Sequence, residues 1–113
     1  MGRVKTTSKE EVIPSSGNVF ADLGFRDAEE RQTKVMLALA INEILQRRRV
    51  SQTEAGQQLG INQPKVSALL NLRLEGFSVE RLMHFLTALD RDVEIVIRRK
   101  PRSRAGRILV TAA

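Results

Sequence analysis

Residues 51–71 limit the possible fold more than any other part of the chain, because start and stop signals for helices follow one another closely there. Ser51 and Glu54 have the spacing of a capping box, which predicts that a helix begins after Ser51. Gly60 is the residue type that most often ends a helix, and Asn62 predicts the start of another, with Pro64 tolerated in its first turn. The segment therefore predicts two short helices joined by a tight turn.

The flanking sequence predicts further helices. Asp27 and Glu30 have the spacing of a second capping box, so a long helix is expected to begin at Asp27. Its apolar stripe follows at intervals of three and four residues: Met36, Leu37, Ala40, Ile41, Ile44 and Leu45. After a cap at Ser78, Val79, Leu82, Met83, Leu86 and Leu89 repeat at the same spacing. These patterns predict a mainly α bundle.

The periodicity changes after the last of these helices. Val93, Ile95 and Ile97 alternate with their neighbours, which predicts a single C-terminal β-strand over residues 92–99. A lone strand leaves its amides and carbonyls unpaired. We expect it to pair with the same strand of a second copy, which would make a homodimer. Pairing with the region around Val19 is the alternative.

The predicted organisation has three parts. Residues 1–26 lack helical periodicity and are expected to form a flexible N-terminal arm. Residues 27–99 form the helical domain and its strand, with the two short helices at 51–72, and residues 100–113 form a basic tail. Phe20 and Leu23 are apolar residues in a polar arm, so we expect them to dock on their own domain, on a second copy or on another protein.

Composition excludes several classes of function. The 113 residues contain no Cys and only one His, so disulfides, thiolate chemistry and most metal sites are excluded, and we expect neither a cofactor nor enzymatic activity. No apolar run is long enough to cross a bilayer, which favours a cytoplasmic protein.

The charge distribution favours a polyanionic partner. The net charge is +6, and its excess lies after residue 97 in Arg98, Arg99, Lys100, Arg102, Arg104 and Arg107. A nucleic acid is the simplest partner for such a cluster, and a tail that serves only solubility is the alternative.

The two short helices have the layout of a helix-turn-helix, in which the second helix lies in the DNA major groove. Its expected outer face presents Gln63, Pro64, Lys65, Ser67, Ala68 and Asn71. Gln can bond adenine, Lys can bond guanine, and Pro64 and Ala68 can touch thymine methyl groups. Phosphate contacts are expected from Arg47, Arg48, Arg49 and Arg73. The first three could instead complement the dipole at the end of their helix, and the whole polar face could be merely solvated.

The motif resembles the XRE, or lambda-repressor-like, helix-turn-helix family. The matching positions are Ser51-Gln52, Leu59-Gly60, Gln63, Val66, Ala68-Leu69 and Asn71, and the resemblance covers residues 27 to 90. It implies a helical bundle that binds DNA as a dimer. Gln52 would contact a phosphate and brace Gln63, and Gln63 would pair with a base. Lys65 and Ser67 would face the major groove, and Asn71 the backbone.

The sequence departs from the family pattern at three positions. Ala55 replaces a larger aliphatic residue, and Pro64 and Lys65 stand where small polar residues are common, so the DNA target is not predicted.

The surroundings of the motif resemble HigA-type antitoxins. The shared features are the arm from Gly17 to Gly24 with Phe20, the long helix from Asp27, and a Val/Ile strand followed by basic residues. The resemblance implies a repressor that controls its own operon through a near-palindromic site and binds a small ribonuclease toxin through the arm. The alternatives are a stand-alone phage-type regulator without a toxin and a protein-interaction adaptor that does not read DNA.

Overall fold

Four α-helices account for the regular structure of the described residues, 19–112, in the computed structural model. Helix α1 spans Val19–Arg48, α2 Gln52–Leu59, α3 Gln63–Leu70 and α4 Val79–Ala88. Side chains are described from residue 27 onward. The mainly α prediction is confirmed. None of these helices is long and apolar enough to cross a membrane.

The chain divides into two units, one up to Gln32 and one from Thr33 onward. Of the first unit, the structure describes the N-terminal half of α1. The predicted helix start at Asp27 is wrong, because α1 already begins at Val19. The missing helical periodicity up to residue 26 predicted a non-helical arm, but a helix can continue without an apolar stripe, and Gly24 inside it costs only about 1 kcal/mol. Residues 1–18 of the predicted arm lie outside the described part of the chain.

The second unit is built around one apolar core. Its fully buried members come from three helices and the turn after α4: Ala38, Ile41, Val66, Leu69, Leu82 and Leu89. The predicted stripe of α1 is confirmed at Leu37, Ile41, Ile44 and Leu45, whereas Met36 is 40% exposed. Helix α2 packs against both α3 and α4. This packing holds α3 in place, while Gln63 and Pro64 in its first turn remain exposed.

The predicted strand over residues 92–99 is wrong, since no strand occurs within residues 19–112. Ile95 is 75% exposed and Ile97 91%, so alternation along this segment does not correspond to a buried face in the single chain. A strand needs a neighbour to satisfy its backbone, and no other part of residues 19–112 supplies one. Val93 and, further on, Val110 do pack against the core.

Candidate nucleic-acid interface

The start of α2 is fixed by a capping box. Ser51 Oγ accepts a hydrogen bond from the Glu54 amide at 3.1 Å, and Glu54 Oε1 accepts one from the Ser51 amide at 2.8 Å. These reciprocal bonds satisfy two amides that a helix leaves unpaired at its beginning. Gln52 is therefore the first residue of α2, and its side chain is exposed.

The turn after α2 needs two glycines for different reasons. Gly60 has φ +72°, a left-handed conformation that costs other residues energy, and its amide donates to Gly56 O at 2.7 Å. A Cβ on Gly56 would lie 2.7 Å from the Ile61 carbonyl oxygen. Gly56 therefore allows α2 to lie close to the turn at Ile61, so that α3 can begin only two residues later.

Helix α3 begins with its polar end in solvent. Asn62 Oδ1 accepts a bond from the Lys65 amide at 3.0 Å, and Pro64 occupies the first turn without loss of a helical hydrogen bond. Gln63 and Pro64 are both exposed. Gln63 Nε2 donates to Gln52 Oε1 at 3.4 Å, so the bracing contact that the resemblance implied is present. This bond leaves the Gln63 carbonyl oxygen and one amide hydrogen available.

The N-terminal ends of α2 and α3 border one shallow groove. It is lined by residues that include Gln52, Thr53, Gln57, Ile61 and Gln63. The free amides at a helix N-terminus carry partial positive charge, which attracts anions. The groove therefore combines amide side chains with two positively polarised helix ends.

The side chain of Lys65 is held by two contacts within the protein. Its ammonium nitrogen lies 5.2 Å from the centre of the Phe77 ring and donates to Gly76 O at 3.4 Å. Phe77 is buried and packs edge to face on Phe85, with the ring centres 5.8 Å apart. The lysine thus reaches the surface over a fixed aromatic support and keeps donors for another acceptor.

The other predicted base-contact residues of α3 differ in exposure. Ser67 and Ala68 are half-buried, and Ala68 packs against the core. Asn71 is exposed, but its amide nitrogen donates back to Ser67 O at 2.8 Å and approaches Ser67 Oγ at 3.4 Å. The exposed Arg73 follows the end of α3, where its amide donates to Ala68 O at 2.8 Å.

The three consecutive arginines after Gln46 have different environments. Arg47 pairs with Glu43 on the surface at 2.8 Å, and Arg49 is exposed with φ +56°. Arg48 instead bonds three groups: Leu89 O at 2.7 Å, Gln58 Oε1 at 3.3 Å and Asp90 Oδ2 at 3.4 Å. Its guanidinium thereby joins the end of α1 to α2 and to the end of α4.

Asn42 is a supporting residue that the sequence reasoning missed. Its side-chain amide donates to Leu69 O at 3.2 Å, which fixes the last turn of α3 against α1. Its Oδ1 is buried and accepts no hydrogen bond from the described residues. The available signal was a polar residue placed between Ile41 and Ile44 in an apolar stripe.

Two surfaces were predicted to bind protein partners: the C-terminal segment, for a second copy, and the N-terminal region, for a toxin. Of the expected dimer residues, Val93 is half-buried against the core, whereas Ile95 and Ile97 are exposed. Phe20 and Leu23 belong to the backbone of α1, not to a non-helical arm. Their side chains lie outside the described residues.

The capped pair α2 and α3, with an exposed polar start to α3, defines a helix-turn-helix protein. A family model described as a helix-turn-helix domain matches residues 19–98. A solved structure assigned to the XRE family of transcriptional regulators is 69% identical to the chain, covers 77% of it and 99% of its own length, and has a TM-score of 0.74. No curated protein matches. The chain belongs to the XRE family of DNA-binding helix-turn-helix transcriptional regulators, which is not a family of enzymes.

Proposed function

We propose that the protein is a sequence-specific repressor that places α3 in the major groove of its operator. The observation that carries this proposal is the exposed first turn of α3, where Gln63 is held by Gln52. A glutamine amide can bond both the N7 acceptor and the N6 donor of adenine. Because Gln52 restrains the Gln63 side chain before DNA arrives, less conformational entropy is lost on binding.

The neighbouring residues divide between base and backbone contacts in this proposal. Gln63, Pro64, Lys65 and Ser67 face base edges, with Ala68 at the margin because it is half-buried. Phosphate contacts come from Gln52, Asn71, Arg73, Arg47 and Arg49. We assign Arg48 a positioning role instead, since its guanidinium already bonds three groups of the protein.

We further propose that the protein acts as a homodimer. Two α3 helices about 34 Å apart, one turn of DNA, would enter successive major grooves of a near-palindrome and block access of the polymerase. The exposed Ile95 and Ile97 are the surface that a second copy would cover. Such a regulator would act in the cytoplasm, where bacterial DNA lies.

The finer proposal is that the repressor is the antitoxin of a toxin-antitoxin pair. It is supported by the resemblance of the chain layout to HigA-type antitoxins and by Phe20 and Leu23, two apolar residues in a polar N-terminal region. A small ribonuclease toxin would bind there. The alternative is a stand-alone regulator without a toxin.

DNA reading is tested with duplexes that the protein itself selects from a randomised pool. Binding of wild type, Gln63→Ala and Gln46→Ala is compared on a selected duplex and on a scrambled one by fluorescence anisotropy. Gln46 is an exposed glutamine near the end of α1 and serves as the matched control. Gln63→Ala should weaken selected binding by about 1 to 3 kcal/mol and leave scrambled binding unchanged. Equal losses on both duplexes would contradict base reading by Gln63.

The antitoxin proposal is tested by affinity purification from the native host after nuclease treatment, so that DNA cannot bridge two proteins. The expected result is a stoichiometric small partner that cleaves RNA and is inhibited by this protein. The double variant Phe20→Ser/Leu23→Ser should lose the partner, whereas Leu39→Ser, at a residue of α1 that is 46% exposed, should retain it. Recovery of this protein alone would favour the stand-alone regulator.

A further inference from the structure

The chain after α4 leaves the core and returns to it. Val93 and Val110 both pack against the core cluster, and the residues from 94 to 109 between them are exposed and contain no helix. A turn at residues 102–104 lies near the middle of this stretch. Residues 94–109 are therefore a loop fastened at both ends, not a free tail, and we call them the basic loop.

The basic loop carries a strong and uncompensated positive charge. Its six cations are Arg98, Arg99, Lys100, Arg102, Arg104 and Arg107, and all are exposed. Its single carboxylate is that of Glu94, at the root. None of the six forms an ion pair with a carboxylate of the described residues, and Lys100 and Arg104 bond only neighbouring carbonyl oxygens. Six like charges within ten residues of chain repel one another, and a polyanion would relieve the repulsion.

The root of the basic loop is attached to the helix-turn-helix. Arg48 donates to Leu89 O, where α4 ends, and to Gln58 of α2. The Arg91 amide donates to Leu86 O at 3.0 Å, which fixes the chain just before Val93. From Val93 to Ser103 a fully extended chain would span about 33 to 36 Å. This reach is comparable with one turn of a DNA duplex, about 34 Å.

We propose that the basic loop binds phosphates of the same DNA duplex that α3 reads, next to the base-contacted segment and independently of sequence. The inference rests on the proposed function of α3, because the loop can contact this duplex only while α3 is bound to it. Duplex DNA offers one phosphate charge per about 1.7 Å of its axis, so several arginines of one loop can find partners at once. The guanidinium group also suits phosphate by binding it in a bidentate manner.

The test compares two double variants that remove the same charge from different places. Arg102→Gln/Arg104→Gln neutralises the tip of the basic loop, and Arg31→Gln/Arg81→Gln neutralises two exposed arginines of α1 and α4. Binding to a selected and to a scrambled duplex is measured by anisotropy over a range of KCl concentrations. Each phosphate contact adds about 0.9 to the slope of log K against log salt. The tip variant should therefore lose about 1.8 of slope per protomer on both duplexes, and the control variant should lose none.

The possible results test the role of the basic loop and the role of α3 separately. If the tip variant and the control have the same slope while the selected duplex is still preferred, the proposed role of the loop is wrong and base reading by α3 stands. If wild type shows no preference between duplexes, base reading is wrong, and the slopes on scrambled DNA still decide the role of the loop. A tip variant that loses the preference for the selected duplex but keeps the salt slope of wild type would also overturn the inference.

Discussion

Replacement of Arg48 by methionine should destabilise the fold by about 2 kcal/mol. The main loss is the hydrogen bond from Arg48 Nη2 to Leu89 O, which is 2.7 Å long and part-buried. A hydrogen bond from a charged donor contributes about 1.5 to 3 kcal/mol. The ion pair with Asp90 adds little, because that carboxylate is 86% exposed. Methionine keeps most of the aliphatic stem, so the variant chiefly removes the polar contacts.

Arg47→Met is the matched control. Arg47 is the preceding residue on the same helix, and its ion pair with Glu43 joins side chains that are 75% and 60% exposed. Exposed pairs at this helical spacing contribute only about 0.3 to 0.5 kcal/mol. Two adjacent arginines should therefore differ several-fold in their contribution to stability.

Urea unfolding followed by circular dichroism measures the difference, at one protein concentration so that subunit association is held constant. With a slope of about 1 to 2 kcal/mol per M, the midpoint of Arg48→Met should fall by roughly 1 to 2 M and that of Arg47→Met by less than about 0.5 M. Midpoints that agree within error would refute the positioning role of Arg48.

Three further substitutions test the supports of α3 by urea or thermal unfolding. Asn42→Asp should cost about 2 kcal/mol and Asn42→Ala about 1, because both lose the hydrogen bond to Leu69 O and only aspartate also places a negative charge, partly buried, against that carbonyl oxygen; equal costs would contradict this placement. Gly60→Ala should lower stability by about 1 kcal/mol and Gly60→Asn by less, since asparagine tolerates φ +72° better; the reverse order would show that strain at this turn is not limiting. Gly56→Ala should be destabilising by about 1 to 2 kcal/mol although alanine favours helices, because its Cβ would meet Ile61 O; a higher Tm would show that the turn yields easily.

Local signals made the helix-turn-helix predictable from sequence. Caps and a helix-ending glycine act within a few residues of chain, so Ser51, Gly60, Asn62 and Ser78 have the roles that their spacing indicated. The contact between Gln52 and Gln63 followed from the family resemblance rather than from the spacing.

Tertiary contacts were not predictable in the same way. Arg48 looked equivalent to its two neighbours, and only the folded chain distinguishes it, by bringing Gln58 and Leu89 to its guanidinium. The strand prediction failed because it rested on the alternation of β-branched residues along 92–99. A strand also needs a neighbouring backbone to accept and donate its hydrogen bonds, and residues 19–112 supply none. The start of α1 was misplaced because residues 19–26 lack the apolar periodicity by which a helix is recognised in a sequence, although their backbone is helical.

Base reading by Gln63 is tested most directly by removing one hydrogen-bond acceptor from DNA. Single adenines of the selected duplex are replaced by 7-deazaadenine, which lacks the N7 acceptor in the major groove, and binding of wild type and Gln63→Ala is measured on each duplex. We expect one position where the two changes are coupled by about 1 to 3 kcal/mol, so that the modified base no longer affects binding once Gln63 is alanine. Additive losses at every adenine would contradict the claim that Gln63 reads adenine through N7.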